Sequence, residues 1–387
     1  MNLKADFLNF FALLPFLALL QAIIFAILLV IRGIRQERYS DFWLAALLMS
    51  LGLSGVPYMF GWLGIMVLWQ DYTFLPWDSA GYLTIPCCYM FLQSLVNEEW
   101  RFKRSDLVYF SIFILYFVYH TVVGSVGHDY ALWWWQNIDN NYFINYTFSI
   151  LDMCLQVYLF VKMLQIYAAY REWINSYFSD TERISFGWFR NFLVIYFLNF
   201  IANFTMMIYV AVTQYDYVGM WWGYFLTMIF VYYLSIFGYS QAQNRSVRFR
   251  AKENEVIEET ATIEKEENTA LRDIDVDFWK NKVLQYFERD KPYLNPELKL
   301  SDVSSQLKTN LNTMSAVINS GFAKNFNDFV NEYRINEFKT QSQCADNQHL
   351  TILAIAFDCG FNSKTTFNRA FKKEVGAAPK EWMSNPV

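Results

Sequence analysis

Seven long stretches almost without charge constrain this chain more than any other feature. They cover about 8–31, 42–63, 79–97, 107–127, 143–170, 191–213 and 218–240. Each reaches the roughly 20 residues that a helix needs to cross a bilayer. Open backbone polar groups are not tolerated in lipid, so helices are the expected form. The whole chain is 55% hydrophobic and 20% aromatic, which would be unusual for a soluble protein. The first stretch is too long for a signal-peptide core and lacks a small-residue cleavage site.

Basic residues give an orientation. Arg32, Arg35 and Arg38 follow the first stretch, and Arg101, Lys103 and Arg104 follow the third. Arg171, Arg183 and Arg190 follow the fifth, and Arg245, Arg248, Arg250 and Lys252 follow the seventh. The other side carries only Lys4, so the split is thirteen against one. By the positive-inside rule the N-terminus lies outside and the C-terminus in the cytoplasm. The outer loops are acidic and aromatic, with Trp69, Asp71, Tyr72 and Trp77, then His128 to Asp139 with Trp133, Trp134 and Trp135, then Tyr215, Asp216 and Tyr217. An interfacial aromatic belt is the ordinary reading. A binding rim for a small or amphipathic ligand is the functional one.

Within the stretches, His120, Asp152, Lys162, Asn199 and Asn203 stand out. Such groups are costly in lipid and turn toward a bundle interior. Lys162 is close enough to the cytoplasmic end to snorkel. His120 and Asp152 lie at similar depth on consecutive helices and form either a ligand- or proton-sensing pair or a helix–helix hydrogen bond. Asn199 and Asn203 are one turn apart and join them as candidates for intramembrane sensing. Pro57 and Pro86 are candidate kinks.

Composition flips between Glu253 and Asp275, where nine acidic residues face two basic ones and no aromatic occurs. This reads as a solvated connector. From Phe278 the pattern is globular. Phe278, Trp279, Val283, Leu284, Tyr286 and Phe287 suit a helix, and Leu300, Val303 and Leu307 give the face of another. After a turn at Lys308-Thr309-Asn310, Leu311, Met314, Val317 and Ile318 give a third. A longer helix is expected over 326–341. Near the end, Ile352, Ile355, Ala356 and Cys359 share a face, Gly360-Phe361 breaks it, and Asn362-Ser363 supplies an N-cap. Phe367, Ala370, Phe371 and Val375 then form a second apolar face. Two short helices about a tight turn make a helix-turn-helix, unless they are an ordinary amphipathic pair with a solvated basic face.

The string Ile355-Ala356, Gly360-Phe361, Ser363, Phe367, Arg369, Phe371-Lys372, Gly376 and Pro379 resembles the second helix-turn-helix of the AraC/XylS family of bacterial transcription regulators. Residues 293–298 and 331–335, with the helices around them, resemble that family's first motif and linker helix. The resemblance covers roughly the last hundred residues. Ala378 stands where Thr usually precedes the Pro, Ser304 where Ala is usual, Lys308 where Gly is frequent, and Phe338 where Ala is usual. It implies double-stranded DNA as a partner, with Lys364, Thr365, Thr366 and Arg369 reading bases and Ser363, Asn368, Lys372 and Lys373 contacting phosphates. In the first motif, Asn310, Asn312, Ser315 and Ala316 take the corresponding turn and groove-facing places; the last three are small and uncharged.

The expected fold is therefore all-α. It comprises a seven-transmembrane helix bundle over 1–244, a basic then acidic cytoplasmic linker over 245–275, and an AraC-like domain with two helix-turn-helix motifs over 276–387. The expected function is a membrane-bound, sequence-specific transcription regulator in the bacterial cytoplasmic membrane, in contact with membrane lipid. The alternative is a transport or ligand-binding membrane protein whose C-terminal domain is a protein-interaction module. Net charge is only +2 over 276–387, so DNA affinity per subunit is expected to be modest. A homodimer, or a high local concentration at the membrane, would raise occupancy. The five cysteines lack metal-ligand spacing, no HExxH, P-loop or GxSxG occurs, and neither a cofactor, a metal nor catalysis is expected.

Overall fold

A computed structural model describes residues 3–56, 78–97, 100–139, 144–181, 187–213, 217–241, 275–347 and 349–384. Every named element among them is helical. The chain divides into two compact units. The first is Met1–Tyr167 with Gly187–Arg250, and the second is Ala168–Phe186 with Ala251–Val387. Most of the acidic connector, the expected outer loop around Trp69 to Trp77, and Pro57 lie outside the described residues.

The first unit contains α1 (Leu3–Gln36), α2 (Tyr39–Leu53), α3 (Thr84–Val96), α4 (Ser111–Ser125), α5 (His128–Trp134), α6 (Ile144–Tyr177, whose last turns belong to the second unit), α7 (Gly187–Thr213) and α8 (Tyr217–Tyr233). Three stretches, Pro15–Gln36, Arg104–Ser125 and Thr147–Tyr177, are helical, long and apolar enough to cross a membrane, and Tyr39–Leu53 and Phe225–Gly238 are shorter apolar helices. Among the described residues, then, three of the seven expected spans meet that criterion and a seven-span bundle is not established. Pro86 does not kink α3; it sits in the first turn, where its missing N–H is not needed.

Small residues let α1 and α2 approach closely. A Cβ on Gly52 would lie 3.0 Å from that of Ala22. Arg32 is not a solvated loop cation. It is 7% exposed, donates to both carboxylate oxygens of Asp41 at 2.7 and 2.9 Å, and donates to the Tyr239 carbonyl at 2.7 Å. That bidentate geometry offsets the cost of burying both charges. Elsewhere the outer faces carry large apolar side chains in the open, among them Leu115, Val122, Leu198 and Ile229.

The second unit is built differently. Its helices are α9 (Val276–Asp290), α10 (Leu300–Gln306), α11 (Leu311–Ala316), α12 (Phe326–Ser342), α13 (Ile352–Asp358), α14 (Lys364–Val375) and α15 (Pro379–Ser384). Two apolar cores form around α12. One gathers Val283, Phe287, Val303, Met314, Val317, Phe326 and Phe329; the other gathers Ile335, Phe338, Ile355, Phe361, Phe367 and Phe371. The departures from the family pattern fit this packing. Phe338 is fully buried and meets the rings of Phe367 and Phe371 at 4.8 and 5.6 Å. Ser304 is buried because its hydroxyl donates to the Ser301 carbonyl at 3.1 Å, so the polar group is satisfied within its own helix.

Candidate nucleic-acid interface

Two helix pairs carry the candidate DNA contacts. In the first, α10 ends in a turn where Lys308 adopts φ 55, as the frequent Gly at that place would. Asn310 then caps α11, its side-chain oxygen accepting from the Thr313 N–H at 2.7 Å. Asn310 thus holds the helix in place. Asn312 is exposed and Ser315 half-buried. Ala316 is 4% exposed and belongs to the core, which corrects its expected place facing a groove.

In the second pair, Thr351 caps α13 and Ser363 caps α14, accepting from the Thr366 N–H at 3.1 Å. Gly360 makes the turn between them at φ 93. A side chain is excluded there, because a Cβ would lie 2.4 Å from the Tyr293 carbonyl oxygen. Helix α14 closes at Gly376 with φ 82, a left-handed C-cap.

Along α14 the apolar residues Phe367, Ala370 and Phe371 face inward, and Lys364, Thr365, Asn368, Arg369, Lys372 and Lys373 are exposed. At helical spacing these six form one stripe with donors for phosphates and base edges. Thr366 does not belong to it. It is 4% exposed and its hydroxyl lies 3.1 Å from that of Ser363, so it cannot read a base from there. Lys373 is exposed but its ammonium sits 2.7 Å from Asp328 at the start of α12, which offsets part of its charge toward DNA.

Residues 303–385 match a family model described as a helix-turn-helix domain. They carry an AraC-type helix-turn-helix, the DNA-binding domain of transcription regulators, which points to a regulator rather than an enzyme. No curated protein and no solved structure matches the chain.

One part of this unit was not visible in the sequence. The segment 178–181, just after α6, is bound against the helix-turn-helix residues. Phe178 forms an antiparallel bridge with Lys299. The Ser179 N–H and hydroxyl donate to the Leu298 carbonyl at 3.2 and 2.6 Å. Asn327 on α12 donates to the Ser179 carbonyl at 2.7 Å, and Arg334 donates to the Ser179 hydroxyl at 3.2 Å. Asn362, the residue before the α14 cap, donates to the Asp180 carboxylate at 2.7 Å. Ser179 is fully buried.

Arg334 is the centre of that arrangement. It is 1% exposed and also donates to the carbonyls of Tyr293 and Asn295, each at 2.8 Å. Burial pulls its guanidinium down to about 10, while nearby Asp180 pushes the other way. This cluster leaves no sign in the sequence, where Arg171, Arg183 and Arg190 mark the same loop by charge only.

The sensing candidates separate in the first unit. Asp152, Asn199 and Asn203 line one cavity of about 380 Å³, together with Gln156, Tyr196 and Thr227 among others. The Asn203 amide donates to the Asn199 side-chain oxygen at 3.0 Å. His120 is not in the lining; its ring packs on Tyr116 and Tyr119. Asp152 Oδ2 accepts from Gln156 at 2.6 Å, so Gln156 takes the place expected of His120. No His/Cys/Asp/Glu group able to hold a metal occurs among the described residues.

Proposed function

We propose that this chain is a membrane-embedded transcription regulator that couples a signal at the membrane or outside the cell to promoter binding by its AraC-type domain. The observation that carries the coupling is the path of α6. The apolar helical stretch Thr147–Tyr177 leads directly into 178–181, which is hydrogen-bonded to Leu298, Asn327, Arg334 and Asn362 of the DNA-binding region. A rearrangement of α6 therefore pulls on the residue next to the α14 cap.

The membrane part of the reading is supported by surface chemistry. Large apolar side chains are exposed along α1, α4, α6, α7 and α8 of the first unit, whereas in the second they are few among the described residues: Phe278, Leu294, Phe357 and Met383. Apolar faces of that extent need a partner, and lipid is the one that suits helices of this length. The thirteen-to-one bias of basic residues supports a cytoplasmic place for the DNA-binding domain. Signalling is then a population shift between docked and released states of 178–181, with differential affinity for ligand in the two.

The test combines localisation and binding. Membranes from cells expressing the full chain are washed with alkaline carbonate and assayed for retention of a selected DNA duplex. Retention of both chain and duplex is expected. A chain that washes off would remove the membrane part, and one that stays but retains no DNA would remove the coupling.

A further inference from the structure

The cavity around Asp152 has a composition that indicates what it holds. Asp152 is 9% exposed, and its Oδ1 has no hydrogen-bond partner among the described residues. Oδ2 is held by Gln156, whose own side-chain oxygen accepts from the Tyr196 hydroxyl at 3.2 Å. Among the described residues the lining contains no Lys, Arg or His. A carboxylate this buried is stable when a cation or a strong donor faces it, and among the described residues none faces Oδ1.

A second cavity, of about 280 Å³, shares Gln156, Tyr196 and Phe200 with the first. The rest of its lining is wholly apolar: Val157, Phe160, Val161, Leu164 and Phe197. Four of these five, Phe160 excepted, are exposed on the outer faces of α6 and α7, which in the membrane reading is where lipid tails lie. The two cavities thus place a polar, acidic compartment beside an apolar groove, with three residues in common.

We propose that these adjoining cavities bind an amphipathic organic cation, its ammonium group against Asp152 and its hydrocarbon chain in the groove between α6 and α7. The polar cavity falls within the usual size of small-molecule sites. Asn199 and Asn203 line the same cavity and add to its polar character. This names the ligand class for the proposed sensor and rests on its membrane reading.

The test uses the full chain in phosphatidylcholine nanodiscs, with empty discs correcting for partition into lipid. Labelled n-decylamine should bind saturably. Decan-1-ol and decanoate should compete roughly ten- to a hundred-fold less well than unlabelled decylamine, because they lack the charge-assisted hydrogen bond. Asp152→Asn should weaken decylamine by a similar factor, with circular dichroism reporting whether the variant folds. Competition among the wild-type probes decides the matter even if it does not. Equal competition by the alcohol or the acid, or binding no greater than to empty discs, would overturn the proposal. Repeating the titration with phosphatidylethanolamine in the discs identifies the source. Loss of decylamine binding makes a lipid headgroup the occupant, unchanged binding makes it a free amine, and both uphold the class. A chain that never assembles into discs would instead count against the membrane reading.

Discussion

The hydroxyl of Ser179 lies 3.2 Å from the guanidinium of Arg334, 155 positions later in the chain, and both are buried. Arg334 also donates to the main-chain carbonyls of Tyr293 and Asn295, the second of which accepts from the Leu298 N–H as well. Replacing it by Ala removes three charge-assisted hydrogen bonds from a buried site, and the expected loss is about 3 kcal/mol of folding stability, since hydrogen bonds to charged groups are the strong ones. Ser179→Ala removes a neutral hydroxyl and should cost only about 1 kcal/mol. Urea unfolding of the purified full chain, followed by tryptophan fluorescence, measures both.

Two glycines with similar backbone angles should behave differently. Gly360→Ala meets both a left-handed φ of 93 and a carbonyl oxygen 2.4 Å from the new Cβ. Gly376→Ala, at φ 82, meets open space. The first should cost roughly 3 kcal/mol or more and the second about 1 kcal/mol. The converse change, Lys308→Gly, relieves φ 55 and should stabilise by up to about 1 kcal/mol. Unfolding midpoints of the three variants test the order.

On α14, Arg369→Ala should weaken binding to a selected duplex by about 1–3 kcal/mol and relax preference at one position, as expected of a base contact. Lys372→Ala should weaken all sequences alike and lower the salt slope by about one. Lys373→Ala should do less than Lys372→Ala, because Lys373 is already paired with Asp328. Fluorescence anisotropy at several salt concentrations separates the three.

Glu337 supplies a pH test. Burial alone would raise its carboxyl, but hydrogen bonds from Gln341, Lys291 and Tyr293 outweigh that and hold it below its ordinary value. Its contribution is therefore complete above the ordinary glutamate range and is lost as pH falls through the depressed pKa. Glu337→Gln should flatten that part of the stability profile on the acid side, below about pH 4.5. Urea midpoints of wild type and variant across that range measure it.

Local features were well marked in the sequence. The cap at Ser363, the Gly360 turn and the left-handed place of Lys308 follow from short-range rules, because one residue's backbone or side chain decides each. Inward residues of a short helix were harder. Thr366 looks like a surface residue by type and Ala316 faces a groove by resemblance, yet one helical position turns both into the core. Long-range pairs left no trace. Nothing in 178–181 names Leu298, Asn327 or Asn362 as partners, since a loop's sequence does not encode what it will meet. Depth alone pairs His120 with Asp152, and depth does not fix which way a helix faces; Gln156, one turn from Asp152, is the residue that reaches it.

The most direct test of the account is selection of DNA by the full chain in nanodiscs, from a randomised duplex library at two salt concentrations, beside Arg369→Ala. The account predicts enrichment of one sequence, weaker at high salt and lost in the variant. A full chain that is folded in its discs and enriches no sequence would contradict it.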